Sequence, residues 1–549
     1  MFARPVSLSL IVLTALLFAL VPAITPAYGA GEWQQRGSDI TGEAAGDESG
    51  YSTALSDDGT ILAIGDHKND SAKGQVRVYQ YSSGAWTQLG TDIVGEATGD
   101  YFGTAVSLSA DGLILAVGAP FNDGTASNAG HARVYEYSAG SWTQRGADID
   151  GFSSNDGFGM AVSLSADGTT VAVGAPTDAN LAAGANAGQV TVYSYSAPNW
   201  SQVGARGQIE GEAGDLLGHL NAVSLSSDGT VLAVGARLRD NGGDSNVGAL
   251  EVYALSGGAW IQRGTTQFGD SADDRLGYSV ALSDDGTIAI AGVLYDDPGA
   301  RSNAGAARAF SWNGTSWSQR GSDIEGEAAD DNFGQTIALD HSGTRAIIGS
   351  ILHDTGASNA GRIRVFDYSS GAWSQVGSAI DGDGADDNWG ISVALSGDGS
   401  TIAAGAHKDD TAGADAGLVR VYALPVTTSA TTTAGTPGIY LHVAGPVGRI
   451  AEGSPVYFGN DRTATTSTYL LSISNIRTSD AARILAAGVV DQRGNLEARV
   501  FLPELAPGSY DVVFQGTHRG GAGLRLSARI TVGSSGEITV LGQNRPDVR

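Results

Sequence analysis

A tryptophan phrase recurs seven times in this chain, and no other feature restricts the possible fold as strongly. Each copy reads W-x-Q-x-G, and the copies lie 53 to 60 residues apart. They begin at Trp33, Trp86, Trp142, Trp200, Trp260, Trp317 and Trp373. A fixed period of this length indicates an architecture in which every repeat is one supersecondary unit, so seven markers predict seven units.

Each unit contains the same succession of apolar runs and turns. In the unit around Asp167-Gly168, "AVSLS" precedes the turn and "TTVAVGAP" follows it. Asp-Gly between apolar runs is typical of a tight hairpin, because both turn residues tolerate positive φ. A third run, such as "VRVY" from Val76, and the tryptophan phrase add two more strands. Four antiparallel strands per repeat predict a seven-bladed β-propeller over residues 31–424.

The two ends of the repeat region indicate how the ring closes. A lone tryptophan strand, Trp33 to Gly42, precedes the first full unit. The last unit ends with "VRVYAL" from Val419 and has no tryptophan strand after it. We therefore expect the first tryptophan strand to complete the last blade, which leaves no open strand edge at the seam.

The repeated phrase "FG-x-AVSLS…LAVGAP…G-x-VRVY" resembles the FG-GAP repeats of the integrin alpha-subunit propeller, and more closely those of bacterial secreted FG-GAP proteins. The matching residues are Phe102-Gly103, Phe158-Gly159, Phe333-Gly334, Gly118-Ala119-Pro120 and Gly174-Ala175-Pro176. The resemblance implies an extracellular binding or adhesion protein. Integrin-type repeats hold calcium in an Asp-rich loop between the first two strands. Here that loop is short, as in "SADG", "SSDG" and "SGDG", and offers too few oxygens for the six to eight ligands that calcium takes.

The chain beyond the repeats predicts a second domain. Residues 425–438 are rich in threonine and predict a linker. Residues 439–549 alternate apolar and polar side chains as strands do, and "LAPGSY" before "DVVFQG" resembles the tyrosine corner of Ig-like sandwiches, with Tyr510 as its tyrosine. The predicted fold class is therefore all-β, with a seven-bladed β-propeller followed by an Ig-like β-sandwich.

The first thirty residues have the pattern of a signal peptide. Arg4 precedes the apolar run Val6 to Val21, and small residues follow it. The run is shorter than the roughly 20 residues that a membrane span needs. We expect cleavage near Gly29 or Ala30 and a secreted, extracellular mature chain without a membrane span. Cysteine is absent, which excludes disulfides, a thiol nucleophile and thiolate zinc sites.

The charge of the chain limits its partners. The formal net charge of −28 excludes nucleic acid, because phosphate binding needs a surface rich in Lys and Arg. One aspartate precedes the FG glycine in every unit: Asp47, Asp100, Asp156, Asp215, Asp274, Asp331 and Asp387. These residues could form a cation-binding ring, but we favour loop caps that accept backbone N–H groups.

A second aspartate follows the GAP strand in six units, at Asp70, Asp123, Asp240, Asp297, Asp354 and Asp410. The strand order places these residues on one propeller face with Glu43, Glu96, Glu212 and Glu327. The sequence therefore predicts that this face is acidic and suited to divalent ions or basic partners.

Two groups of residues are candidate sites. Asp381, Asp383, Asp386 and Asp387 in "DGDGADDNWG" could supply calcium ligands, and no other cofactor is expected. Units four and five depart most from the repeat, and their loops could bind a glycan or a carboxylate through Arg237, Arg239, Arg275, Tyr295 and Arg301.

The repeats lack a recognisable catalytic motif. The eight histidines never pair at metal-ligand spacing, and no G-x-S-x-G elbow is present. We therefore expect a non-enzymatic extracellular binding or adhesion protein whose partner is a protein, a glycan or a cation. A secreted polysaccharide-active propeller enzyme and a structural surface-layer component are the alternatives. The sequence leaves the oligomeric state open.

Overall fold

The computed structural model describes residues 32–179, 183–205, 209–354 and 356–424, together with the backbone of eight strands between residues 440 and 548. The chain divides into two compact units, Met1–Thr427 and Thr428–Arg549. None of the helices in the described part of the chain has the length and apolar character needed to cross a membrane.

The first unit is a ring of seven antiparallel sheets, which confirms the predicted seven-bladed propeller. The strands of blade 1 are Ser52–Leu55, Ile61–Asp66, Gln75–Ser82 and Ala85–Gln88. Those of blade 2 are Ala105–Leu108, Ile114–Ala119, His131–Ser138 and Ser141–Gln144. Those of blade 3 are Ala161–Leu164, Thr170–Ala175, Gln189–Ser196 and Asn199–Val203. Blades 4 and 5 consist of Val223–Leu225, Val231–Ala236, Ala249–Ser256 and Ala259–Gln262; and Leu276–Leu282, Ile288–Val293, Ala306–Trp312 and Trp317–Gln319. Blades 6 and 7 consist of Phe333–Leu339, Arg345–Ser350, Arg362–Ser369 and Ala372–Gln375; and Ser392–Leu395, Thr401–Ala406, Leu418–Ala423 and Gln34–Gln35.

Short elements complete the ring. In six blades a two-residue strand extends the pairing of the third strand: Ile40–Thr41, Ile93–Val94, Ile149–Asp150, Gln267–Phe268, Ile324–Glu325 and Ile380–Asp381. The two helices of the described chain are Asn69–Ala72 and the 3₁₀ turn Pro298–Ala300. The first strands of successive blades contact one another and surround the axis. Val, Leu and Ile side chains of the first, second and third strands pack between neighbouring blades. The core is therefore a series of interblade layers.

The predicted closure of the ring is confirmed. Gln34 pairs with Ala423 and Gln35 with Tyr422, so the first strand of the chain completes the last blade. Trp33 is buried there, and its indole N–H donates to the carbonyl oxygen of Val376 at 3.1 Å.

The two glycines of the FG-GAP phrase meet across the blade boundary. Gly118 in the second strand of blade 2 lies against Gly159, which follows Phe158 in blade 3, and a Cβ added to Gly118 would overlap the carbonyl oxygen of Gly159. The same contact joins every pair of neighbouring blades: Gly65 and Gly103, Gly174 and Gly218, Gly235 and Gly277, Gly292 and Gly334, Gly349 and Gly390, and Gly405 and Gly50. The repeated glycines therefore set the distance between blades.

The tryptophan phrase also joins neighbouring blades. The indole N–H of Trp86 donates to the carbonyl oxygen of Arg36 at 2.7 Å, and Trp142 donates to Leu89 at 2.8 Å. In each case the acceptor lies in the tryptophan phrase of the preceding blade. A Cβ added to Gly37 would lie 2.7 Å from Cδ1 of Trp86. This glycine of the tryptophan phrase therefore leaves room for the indole of the next blade.

A closed ring of backbone hydrogen bonds links the seven inner hairpin turns. Each turn donates one N–H to the carbonyl oxygen of the next turn, at 2.8 to 3.0 Å. The donors are, in order, Asp57, Ala110, Ala166, Ser227, Asp284, His341 and Gly397, and Gly397 returns to Asp57. We call this end of the propeller the turn face and the opposite end, which carries the FG and GAP loops, the loop face. This ring of hydrogen bonds holds the seven turns close together around the propeller axis at the turn face.

His341 bridges two carboxylates within this ring of turns. Its Nε2 lies 3.0 Å from Asp57 Oδ1, and its Nδ1 lies 3.2 Å from Asp284 Oδ2. The hydrogen bond that His341 donates to Asp57 raises the pKa of the imidazole above its usual value. The bridge therefore joins blades 1, 5 and 6 most strongly when the imidazole is protonated.

We expect His341 to stabilise the propeller in a pH-dependent way. Because the pKa is higher in the folded state, the stabilisation is fully present below the unfolded pKa of about 6.5 and is lost as the pH rises through the folded pKa. The difference in melting temperature between the natural chain and His341→Gln should therefore shrink from pH 5.5 to pH 9. A constant difference across this range would contradict the bridge.

The second unit contains eight described strands. They are Tyr440–Val443, Ser467–Asn475, Arg483–Val490, Ala498–Phe501, Gly508–Thr517, Gly523–Val532, Ile538–Gln543 and Asp547–Val548. Tyr440–Val443 pairs with Ala498–Phe501, and the other six form one antiparallel sheet. The Ig-like sandwich over 439–549 stays a prediction. The predicted signal peptide (1–30) and linker (425–438) lie outside the described residues.

Candidate functional site

The recurring aspartates on the loop face build the loops, as the cap interpretation predicts. Asp100 Oδ2 accepts the backbone N–H of Ala97 at 3.0 Å, and the aspartate of each other blade accepts the N–H three residues before it. All seven side chains are buried. In the second series, Asp123 Oδ1 accepts the N–H of Asn128 at 2.8 Å, and Asp240, Asp297, Asp354 and Asp410 make the equivalent bond.

Each of the four predicted calcium ligands already has a different protein partner. The partners are the Arg362 guanidinium for Asp381, Arg420 for Asp383, the Asn359 amide for Asp386, and the Gly384 N–H for Asp387. These partners belong to blades 6 and 7 and to the loop between them. A calcium site at these four residues stays a prediction.

Ion pairs compensate much of the charge on the rim of the loop face. Glu327 Oε2 lies 2.6 Å from Arg362, and Glu212 Oε1 lies 3.1 Å from Arg239. Other rim pairs join Arg308 to Asp270, Arg420 to Asp383, and Arg133 to both Glu96 and Asp148. Arginines of blades 2, 4, 5, 6 and 7 therefore neutralise part of the acidic charge on the rim, and the acidic face stays a prediction.

Glu96, His131 and Asp148 hold ligand atoms within 4.8 Å of one another, close enough for a metal ion. Arg133 lies among them, with its guanidinium 2.7 Å from Asp148 Oδ2 and in contact with Glu96. The guanidinium supplies the positive charge that these carboxylates need.

A second group of side chains lies around the axis at the loop face. One set directly follows the FG-position glycine, as Tyr51, His219 and Tyr278 do, and Arg275 lies two residues before that glycine. Another set follows the GAP-position glycine by two or three residues. We call the whole group the axial cluster: Tyr51, His67, Lys68, His219, Arg237, Arg275, Tyr278, Tyr295, His407 and Lys408.

Aromatic rings connect the part of the cluster contributed by blades 7, 1 and 2. The Tyr51 ring centroid lies 3.9 Å from that of His67 and 5.6 Å from that of His407. His67 is 5.6 Å from Tyr101, which is 5.2 Å from Phe121. Phe121 is 39% exposed, which is unusual for a large apolar side chain in this protein. The rings form a track from the axis to the surface of blade 2.

Blades 4 and 5 contribute arginines that lie against tyrosines. The Arg237 guanidinium carbon is 5.3 Å from the Tyr278 ring centroid, and that of Arg275 is 4.5 Å from the Tyr295 ring centroid. Both distances are those of cation–π contacts. Tyr278 is close enough to Tyr51 to affect its ionisation: burial first, then Tyr278 and Glu48, raise the pKa of Tyr51 to about 12. The two halves of the cluster therefore face one another across the axis.

Five buried nitrogen atoms of the cluster have no hydrogen-bond partner among the described residues. They are Nδ1 of His67, His219 and His407, and Nε of Arg237 and Arg275. Buried polar atoms in native proteins almost always have a partner. These five atoms lie together at the axis, where water or a ligand can pair with them.

Burial fixes the charge state of the histidines. It lowers the pKa of His67, His219 and His407 to about 3, with nearby cations as the smaller cause. Each imidazole is therefore neutral at physiological pH and offers one donor and one acceptor. The positive charge of the cluster comes from its lysines and arginines alone.

The channel beneath the cluster is narrow. Its cavity of about 70 Å³ is lined by residues in and just before the innermost strands, among them Ser52, Thr104 and Asn221. Such a cavity holds a few water molecules and not a sugar ring. A larger ligand must therefore bind at the mouth of the channel.

The sequence identified part of this site. Arg237, Arg275 and Tyr295 belong to the cluster, whereas Arg239 pairs with Asp215 and Arg301 pairs with Glu325 on the rim. Tyr51 was missed, and His67 and His407 were discounted with the other histidines because none has metal-ligand spacing. An alignment of the seven units could have found them, because they occupy equivalent positions beside the motif glycines.

Comparisons with known proteins agree with the fold. Residues 95–135 match the FG-GAP repeat family. No curated protein matches the chain significantly.

Three solved structures resemble the propeller. A candidate 6-phosphogluconolactonase from Bacteroides uniformis is 13% identical, with a TM-score of 0.43 over 61% of this chain and 86% of that chain. The periplasmic gluconolactonase of Pseudomonas aeruginosa is 18% identical, with a TM-score of 0.39 over 60% and 86%. An oligogalacturonate lyase in complex with manganese is 11% identical, with a TM-score of 0.40 over 72% and 99%. Likeness at this level carries no information about activity.

The motif glycines meet at every blade boundary, and the matched residues 95–135 span the FG and GAP segments of blade 2. The chain therefore contains a seven-bladed β-propeller in which residues 95–135 match the FG-GAP repeat family.

Proposed function

We propose that this protein is a secreted binding protein whose ligand site is the axial cluster. The unpartnered nitrogens of His67, His219, His407, Arg237 and Arg275 carry the proposal. Leaving a buried polar group unpaired costs about 1–3 kcal/mol, so a site with five of them favours a ligand that pairs with them. The partner is an extracellular glycan or protein.

The sequence of residues 1–30 supports secretion. It has the charged start, apolar run and small residues of a signal peptide. The mature protein recovered from a culture medium should begin near Gly29 or Ala30, which N-terminal sequencing measures. A cell-associated chain that retains its first residues would contradict secretion.

The charge states in the cluster favour binding over catalysis. A general base works best when its pKa lies near the operating pH. Imidazoles with a pKa of about 3 are weak bases, and Tyr51, with a pKa of about 12, is a weak acid. A polysaccharide-active enzyme is the alternative, and new reducing ends or unsaturated products from a panel of polysaccharides would support it.

Arrays of extracellular glycans and proteins test the proposed function. We expect the natural chain to bind at least one arrayed ligand and the Arg275→Met variant to lose that signal. Arg301→Met is the matched control, because Arg301 lies on the rim of the same blade and pairs with Glu325 at 2.6 Å. Melting curves of all three proteins establish that they are folded. Array signals that Arg275→Met leaves unchanged, or the absence of any signal, would contradict the proposal.

A further inference from the structure

The axial cluster holds cations without acidic partners in a chain that has a large excess of acid. The protein has 31 Lys and Arg residues and 59 Asp and Glu residues. Within the cluster, Lys68 pairs with Glu48 at 2.7 Å. No Asp or Glu of the described residues lies within ion-pair distance of Arg237, Arg275 or Lys408. The chain therefore leaves three positive charges uncompensated at one place.

Two of these charges, those of Arg237 and Arg275, are costly for the folded protein. The side chains of Arg237 and Arg275 are partly buried, and burial lowers the pKa of Arg237 below its usual range. Buried charges in proteins are normally paired, because a desolvated ion without a partner is unfavourable. On the rim, Arg133, Arg308 and Arg362 each have carboxylate partners. The uncompensated positive charge at the axis therefore favours a ligand that carries negative charge.

The neighbours of these cations restrict the kind of anion. Neutral His67 and His407 can each donate and accept a hydrogen bond, as sugar hydroxyl groups do. The rings of Tyr51, Tyr101 and Phe121 offer flat apolar faces along the track from the axis. The C–H faces of a pyranose ring pack on such surfaces. A compact, densely charged phosphate would use the cations but not the aromatic track.

We infer that the axial cluster binds an acidic oligosaccharide, with hexuronate carboxylates paired to Arg237, Arg275 and Lys408 and the sugar rings extending along Tyr101 and Phe121. This inference rests on the proposed function and assigns the ligand class of that same site. Because the channel is too narrow for a sugar ring, the oligosaccharide lies across the mouth of the channel, with one carboxylate over the axis.

Calorimetric titration of the full chain tests the ligand class with four probes. They are a hexuronate trisaccharide, its methyl ester, the corresponding neutral hexose trisaccharide and a tetra-aspartate peptide. We expect the hexuronate to bind and its affinity to fall as sodium chloride is added. The methyl ester and the neutral sugar should bind about 30-fold more weakly or not at all, since each lacks the carboxylate charge.

Variants assign the charge to individual residues. Arg237→Met and Arg275→Met should each weaken hexuronate binding about 30-fold or more, and exposed Lys408→Met about 3-fold to 10-fold. The control is Lys73→Met, which removes the same charge from the loop face outside the cluster and should change affinity less than about 2-fold. Phe121→Ala should weaken the trisaccharide but not a single hexuronate, because only the longer ligand reaches blade 2.

The outcomes separate this inference from the proposed function. Equal binding of charged and neutral trisaccharides, lost in Arg275→Met, would keep the binding site and overturn the hexuronate assignment. Binding of tetra-aspartate without any sugar would also overturn it, in favour of an acidic peptide. Failure of all four probes together with silent arrays would overturn both.

Discussion

Gly118→Ala is expected to lower the free energy of unfolding by about 3 kcal/mol or more, which is at the upper end for one added methyl group. The new Cβ would overlap the carbonyl oxygen of Gly159, and neither backbone can move without separating blades 2 and 3. The φ of Gly118 lies outside the left-handed region, so the backbone conformation itself suits alanine. The expected loss is therefore steric.

Urea unfolding of the two chains measures this loss. Gly243→Ala provides the control, because its backbone is also outside the left-handed region and a Cβ there would have nothing within 4 Å. We expect the control to change stability by less than about 0.5 kcal/mol. Equal stability of Gly118→Ala and Gly243→Ala would mean that the motif glycines do not set the blade spacing.

Removal of the first strand is expected to destabilise the whole ring. A chain beginning at Glu43 lacks Gln34–Gln35 and Ile40–Thr41, and with them the buried side chains of Trp33 and Ile40. The loss of these two buried side chains lowers the free energy of unfolding by about 5 kcal/mol or more, which is comparable to the whole stability of many domains. It also leaves Leu418–Ala423 as an unpaired edge that promotes aggregation.

A chain beginning at Glu32 is the comparison, because it keeps every strand of the ring. We expect this longer chain to be monodisperse and to melt in one cooperative transition. The shorter chain should be aggregated or should melt at a much lower temperature, as seen by light scattering and circular dichroism. Similar melting of both would show that blade 7 is stable with three strands.

The sequence predicts the ring because the residues that define it recur in every blade. The glycines, the tryptophans and the hairpin turns meet a need that all blades share, so repetition identifies them. The tight turn at Asp167-Gly168 and the pairing of the first strand with the last both follow from local patterns and strand counting.

The axial cluster could not be predicted in the same way because it depends on differences between blades. Tyr51 and Tyr278 belong to blades 1 and 5, and only the closed ring places them near one another. The repeated aspartates attract attention in the sequence by their number, yet the structure uses them as loop caps. Residues that break the repeat at the axis give this propeller its individual chemistry.

The shared last blade also determines when the protein can fold. Gln34 cannot pair with Ala423 until almost the whole propeller has been synthesised, so native closure depends on a contact of very long sequence separation. At ordinary rates of translation, residue 423 appears roughly 20 to 85 seconds after the first residue. During that interval the ring stays open at its seam. During this interval the chain would still be accessible to an export pathway that requires an unfolded protein.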